Sequence, residues 1–130
     1  MTAPTMRFDA LLLPGMDRAV GHARRWLRDV LGLEHPYLDD AALCMSELLT
    51  NALRYTESGR DGQIRVEVTY SARTVRMEVI DDGRAATVPH VAEAAELDVT
   101  GRGLLIVASL AKAWGMEPRA EGHAVWFELQ

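Results

Sequence analysis

The stretch Ser46-Glu47-Leu48-Leu49-Thr50-Asn51-Ala52-Leu53-Arg54-Tyr55-Thr56 reads as the second half of a helix that starts near Pro36. At about 100° per residue, Leu38, Ala42, Met45, Leu49 and Ala52 fall on one side. Glu47, Asn51 and Tyr55 stand one turn apart on roughly the opposite side. One face can pack on a core while the other offers a carboxylate, an amide and a phenol. A carboxylate and an amide one turn apart can act together as a base and a metal ligand. They are equally compatible with a solvated surface, where most helical charges lie.

Working outward, 130 residues fit one domain with one core, expected over 1–130. The hydrophobic fraction of 48% and charged fraction of 25% are ordinary for a soluble globular protein. A net charge of -5 argues against a broad nucleic-acid face. A lone cysteine, Cys44, excludes an intrachain disulfide and reads as a small buried hydrophobe rather than a nucleophile. His22, His35, His90 and His123 lack metal-ligand spacing. No basic segment followed by an apolar run and a cleavage site marks a signal peptide, and no apolar run approaches the ~18 residues of a membrane span. A cytoplasmic protein without membrane contact is expected.

Before the opening stretch, Arg7–Leu13 reads as an edge-type strand stopped by Pro14-Gly15. Asp17–Leu31 reads as a helix with the apolar arc Val20, Ala23, Trp26, Leu27, Val30 and Leu31. Arg18, Arg25 and Arg28 lie outside that arc, either as a solvated face or as a docking surface for an acidic partner. Pro36 opens the next helix, where its missing N–H costs nothing. A polar loop, Glu57–Gly62, closes it.

After it, Ile64, Val66, Val68 and Tyr70 alternate with polar residues, as do Val75, Met77 and Val79. The short link Ser71-Ala72-Arg73 makes these two strands a hairpin. Gly83–Thr100 is the least regular part, apart from a helix-prone run, Val91–Leu97. Gly101-Arg102-Gly103 then leads into an apolar helix over Leu104–Leu110. Ala113–Glu117 and His123–Leu129 read as closing strands around a turn from Pro118 to Gly122. The order βααββααββ predicts an α+β fold: a two-layer sandwich whose mostly antiparallel, mixed sheet is covered on one face by helices and wet on the other.

Two further places carry chemistry. Period 2 puts Asp81 on the face of Val75, Met77 and Val79, where a carboxylate needs a partner, for instance the exocyclic amine of adenine. Alternatively the strand ends at Ile80 and Asp81-Asp82-Gly83 is a turn. Thr100-Gly101-Arg102-Gly103 precedes a helix whose free N–H groups, with two glycines beside them, suit phosphate. A plain turn is the alternative. The Lys-Ser/Thr ending of a P-loop is absent, and no strand precedes it as in a Rossmann fingerprint.

The three places, in this order, resemble the boxes of the GHKL superfamily, which includes gyrase-type and histidine-kinase ATP sites. Glu47-Leu-Leu-Thr-Asn51-Ala-Leu-Arg-Tyr55 looks like its N box, Asp81-Asp-Gly83 its G1 box and Gly101-Arg-Gly103-Leu104 its G2 box. The resemblance covers nearly the whole chain, and the form of the boxes is most similar to the small bacterial anti-sigma-factor serine/threonine kinases.

The resemblance implies a Bergerat ATP-binding fold and the ligands ATP and Mg²⁺. Asn51 would ligate Mg²⁺, Glu47 would be the general base for a substrate serine, and Asp81 would accept from the adenine amine. Gly83 would let the base sit close, Gly101 and Gly103, with Thr100, Arg102 and Leu104 beside them, would hold the phosphates, and residues 84–100 would form the lid. The implied partners are a sigma factor and its anti-sigma-factor antagonist, with a homodimer suggested. A nucleotide-responsive or nucleotide-independent binding regulator on the same fold is the alternative from another class; a detached sensor-kinase catalytic domain is a third. Three positions depart from the family pattern. Ala85 stands where a second glycine is common, Ala124 where a threonine hydroxyl helps hold the adenine site, and Tyr55 where histidine is frequent. One lost hydrogen bond typically costs about 0.5–1.5 kcal/mol.

Overall fold

A computed structural model describes residues 5–55, 62–82, 102–119 and 122–130, with Tyr55 by its backbone alone. The elements run β1 (Arg7–Pro14), α1 (Arg18–Leu31), α2 (Leu38–Tyr55), β2 (Gln63–Tyr70), β3 (Val75–Asp81), α3 (Arg102–Leu110), β4 (Ala113–Arg119) and β5 (Gly122–Leu129). The sheet order is β1-β2-β3-β5-β4. Every pairing among the described residues is antiparallel, so the sheet is purely antiparallel there rather than mixed. The expected segment Val91–Leu97 lies outside the described residues.

Alternation decides which face is covered. Ile64, Val66 and Val68 of β2 point to one side with Val75, Met77 and Val79 of β3 and Val125, Phe127 and Leu129 of β5; all are buried. Ala23 and Leu27 of α1, Met45 and Leu49 of α2 and Leu104 and Val107 of α3 close the core against them. The opposite face holds Arg76, which bonds Glu78 and Glu128 and lies 4.5 Å from the ring centre of Trp126. Arg119 joins through Glu78. Such half-exposed pairs add little stability, but they keep this face polar, as its alternation predicts. Phe127 is fully buried at the centre of the covered face. Phe127→Ala is expected to cost about 3–5 kcal/mol, read as a lower urea midpoint with an unchanged slope.

Local rules set the element ends. Gly32 takes φ 87° beyond α1 and its N–H bonds the Arg28 carbonyl at 2.9 Å, a helix stop that favours glycine. The next helix begins at Leu38, two residues later than Pro36 suggests, because the connector is held by His35. Its Nε2 donates to the Ser71 carbonyl at 2.7 Å, and its Nδ1 accepts the Tyr37 N–H at 3.1 Å. That ties the α1–α2 connector to the β2–β3 turn. Pro118 lies in β4 instead of the turn; β4 is an edge strand, where a missing N–H is tolerated.

Candidate functional site

Helix α2 carries more burial than one apolar face requires. Ala41, Cys44, Met45, Leu48, Leu49 and Ala52 are all buried, and so is Asn51, at 8% exposure. The Glu47–Asn51 side is therefore not a wet surface, because α3 crosses it. The crossing is close at Gly103. A Cβ placed there would stand 3.0 Å from Glu47 Oε2, 3.4 Å from Glu47 Cβ and 3.5 Å from Asn51 Nδ2. Glycine leaves that space to the carboxylate and the amide. Gly103 is not a loop residue ahead of α3, since the helix starts at Arg102 and Gly103 is its second residue.

Two hydroxyls flank this pair along α2. Ser46 Oγ donates to the Ala42 carbonyl at 2.6 Å and accepts from Arg24 Nε of α1 at 2.8 Å. Thr50 Oγ1 donates to the Ser46 carbonyl at 2.8 Å. Glu47 and Asn51 thus each follow a hydroxyl residue that bonds back along α2, and Ser46 also ties α2 to α1, a feature the sequence offers only as two unremarkable hydroxyl residues.

Asp81 is the last residue of β3, so the strand does not stop at Ile80. It pairs across from Ile64 and continues the buried line of Val75, Met77 and Val79 at 6% exposure. Its Oδ1 accepts the backbone N–H of His123 at 3.2 Å. Asp82 points elsewhere, its Oδ2 accepting the Gln63 N–H at 3.1 Å.

The register also corrects the expectation for Ala124. Ala124 pairs with Ile80 on the opposite face and lies outside the core cluster. A hydroxyl there would not meet Asp81. The side chain that does share the Asp81 face is His123, in line with Val125, Phe127 and Leu129. Counting by two back from the buried Phe127 would have found it.

The other expected site residues divide. Arg102 is exposed at the start of α3. Leu104 is 1% exposed and belongs to the core, so what it offers a ligand is its backbone N–H in the first turn. Gly83, Thr100, Gly101, Ala85 and the lid 84–100 lie outside the described residues, as does the Tyr55 side chain. Among the described residues no group of histidine, cysteine and carboxylate side chains could hold a metal ion. An amide such as Asn51 would be one ligand among waters and phosphate oxygens, the usual setting of Mg²⁺.

Cys44 is buried on α2. Burial pushes its thiol up to about 11, with the carboxylates of Asp40 and Glu47 adding to the shift. The thiolate is the reactive form, so native protein at neutral pH should react with a thiol reagent far more slowly than free cysteine. Reaction at the rate of free thiol would contradict this burial.

Against known families, residues 13–129 match the histidine kinase-like ATPase domain. The chain belongs to this family. Its carboxylate–amide helix, its buried strand-end aspartate and its glycine-bearing late helix occupy a GHKL fold. No relative is found among curated proteins. Among solved structures this ATPase domain is similar to the RsbU and RsbW domains of Rv1364c from Mycobacterium tuberculosis, at 22% identity and a TM-score of 0.68. That match covers 95% of this chain and 32% of the other. It is also similar to the histidine kinase domain of a blue-light-activated histidine kinase, EL346, from Erythrobacter litoralis, at 17% identity and a TM-score of 0.53, covering 90% of this chain and 64% of the other. The chain thus spans about a third of the first structure and just under two thirds of the second. At these identities the likeness is one of fold. No described helix is long and apolar enough to cross a membrane.

Proposed function

We propose that the chain is a single ATP-binding unit over residues 1–130 that acts in the cytoplasm as a Mg²⁺-dependent serine/threonine protein kinase of the anti-sigma type. Its substrate would be a small antagonist protein, and its regulatory target a sigma factor. The observation that carries the reading is the seat of Gly103 against Glu47 and Asn51, which joins the late helix to the carboxylate and amide of α2. The form of the three boxes and the likeness to a chain carrying an RsbW domain support the anti-sigma type.

In this reading Glu47 would take the proton from the substrate serine as its oxygen attacks the γ-phosphorus of ATP and ADP leaves. Asn51 presents its amide oxygen to Mg²⁺, which when bound neutralises charge on the triphosphate. Asp81 accepts from the adenine amine, with Gly83 giving room for the base. The first-turn N–H groups of α3, from Arg102 to Leu104, and the preceding Thr100 and Gly101 address the phosphates. Phosphoryl transfer asks a protein mainly for positioning and charge neutralisation, and these residues supply both. The exposed Arg18, Arg25 and Arg28 of α1 are available to an acidic partner surface.

A regulator on the same fold that binds partners without transferring phosphate is the second reading, favoured by Ala85, which stands where a second glycine is common. Incubation with labelled Mg²⁺-ATP and antagonist-like proteins from the same genome separates the two. Label on a serine of one antagonist supports the kinase. ATP binding without transfer to any of them supports the regulator.

A further inference from the structure

His123 stands beside Asp81 with an unmatched nitrogen. Its Nδ1 is shut off from solvent and hydrogen-bonds to nothing among the described residues. Asp81 Oδ1 stands 3.8 Å from it, beyond hydrogen-bond reach and already accepting the His123 backbone N–H. The side chain as a whole is 20% exposed, so part of it, unlike Nδ1, reaches solvent. The torsion that turns a histidine ring is soft. A buried nitrogen without a partner is costly and invites one.

The two side chains extend the β3 and β5 register by one pair beyond Ile80 and Ala124, on the face where Val79 and Val125 end the core. With its proton on Nδ1, His123 sets a donor beside the carboxylate acceptor. The pairing edge of adenine carries the complement: an amino donor next to the ring-nitrogen acceptor N1. Guanine carries the reverse, a carbonyl acceptor next to an N–H donor.

We propose that His123 is a specificity-determining residue for the base: its ring turns to bring Nδ1 out of its buried position, and Nδ1–H donates to N1 of adenine while the Asp81 carboxylate accepts from the amino group. This rests on the reading of Asp81 as the adenine acceptor. His123 thereby replaces the hydroxyl that Ala124 was expected to have lost, and it adds discrimination against guanine. The backbone N–H that holds Asp81 is present in any variant except proline, so changing the imidazole leaves the carboxylate anchored.

The test is calorimetric titration of the full chain, with Mg²⁺ throughout, by ATP, by 1-deaza-ATP (a carbon in place of N1) and by purine riboside triphosphate (no amino group). The wild-type chain should bind ATP roughly three- to ten-fold tighter than 1-deaza-ATP, the range one hydrogen bond supplies. His123→Ala should weaken ATP by a similar factor and lose the preference, and His123→Gln, which keeps an N–H donor, should recover part of it. Equal binding of ATP and 1-deaza-ATP by the wild-type chain overturns the proposal, with no variant needed. If purine riboside triphosphate is still bound more weakly than ATP, the role of Asp81 survives that failure. Binding of none of the three overturns both.

Discussion

Glu47→Ala is expected to slow phosphoryl transfer by roughly 10²–10⁴-fold, the usual worth of a positioned general base, and to leave Mg²⁺-ATP binding within a few-fold of wild type. The carboxylate is half-buried under α3, with its Oε2 at the space above Gly103. It is one turn from Asn51, so removing it leaves the proposed Mg²⁺ ligand and the Asp81 end in place. Alanine is also the strongest helix former, so α2 gains propensity at that position. Glu47→Gln sharpens the comparison, since it keeps the shape and removes the proton acceptor. Single-turnover transfer rates and binding constants measured side by side check this. Transfer by Glu47→Ala at the wild-type rate would remove Glu47 from the role of base.

Gly103→Ala is expected to separate stability from activity. In the first turn of α3, alanine improves on glycine by up to about 1 kcal/mol of helix propensity. The added Cβ would nevertheless stand 3.0 Å from Glu47 Oε2, so the carboxylate must shift by a few tenths of an ångström, while Asn51 Nδ2, at 3.5 Å, is left in ordinary contact. Reactions that depend on positioning tolerate such shifts poorly; a misplacement of about 1 Å can cost 10²-fold. The melting temperature of Gly103→Ala should stay within a few degrees of wild type while transfer falls at least about ten-fold. Gly103→Val, which brings two methyl groups into the same space, should lose transfer further and Mg²⁺-ATP binding with it. Unchanged transfer in Gly103→Val would mean that the crossing at Gly103 does not shape the site.

The helical period placed Leu38, Met45, Leu49 and Ala52 in the core, and period 2 placed Asp81 on the buried face of β3; both rest on local geometry that sequence alone encodes. The solvated reading of the Glu47–Asn51 stripe fails for a non-local reason. Nothing within α2 reports that α3, about fifty residues later, crosses it at Gly103. The same limit explains Ala124. The family pattern pointed to a lost hydroxyl there, but register across β3 and β5 puts Ala124 on the far face and His123 beside Asp81. Pro118 looked like a turn residue because its place on an edge strand depends on which strands pair. The carbonyl and hydroxyl bonds that brace Ser46 and Thr50, and the Arg24 contact between α1 and α2, leave no mark in composition or spacing.

The central claim is that this fold holds Mg²⁺-ATP with Asp81 as the anchor for the base, and a thermal titration tests it most directly. A ligand bound only by the native state stabilises it by RT ln(1 + [L]/Kd), about 2.7 kcal/mol at a hundred-fold excess over Kd, or a rise of several degrees for a chain of this size. The wild-type melting temperature should climb with Mg²⁺-ATP toward such a rise. Asp81→Asn, folded and of similar basal stability, should show almost none at the same concentrations. A wild-type melting temperature that stays flat to millimolar Mg²⁺-ATP, or an Asp81→Asn chain that climbs as the wild type does, would contradict the claim.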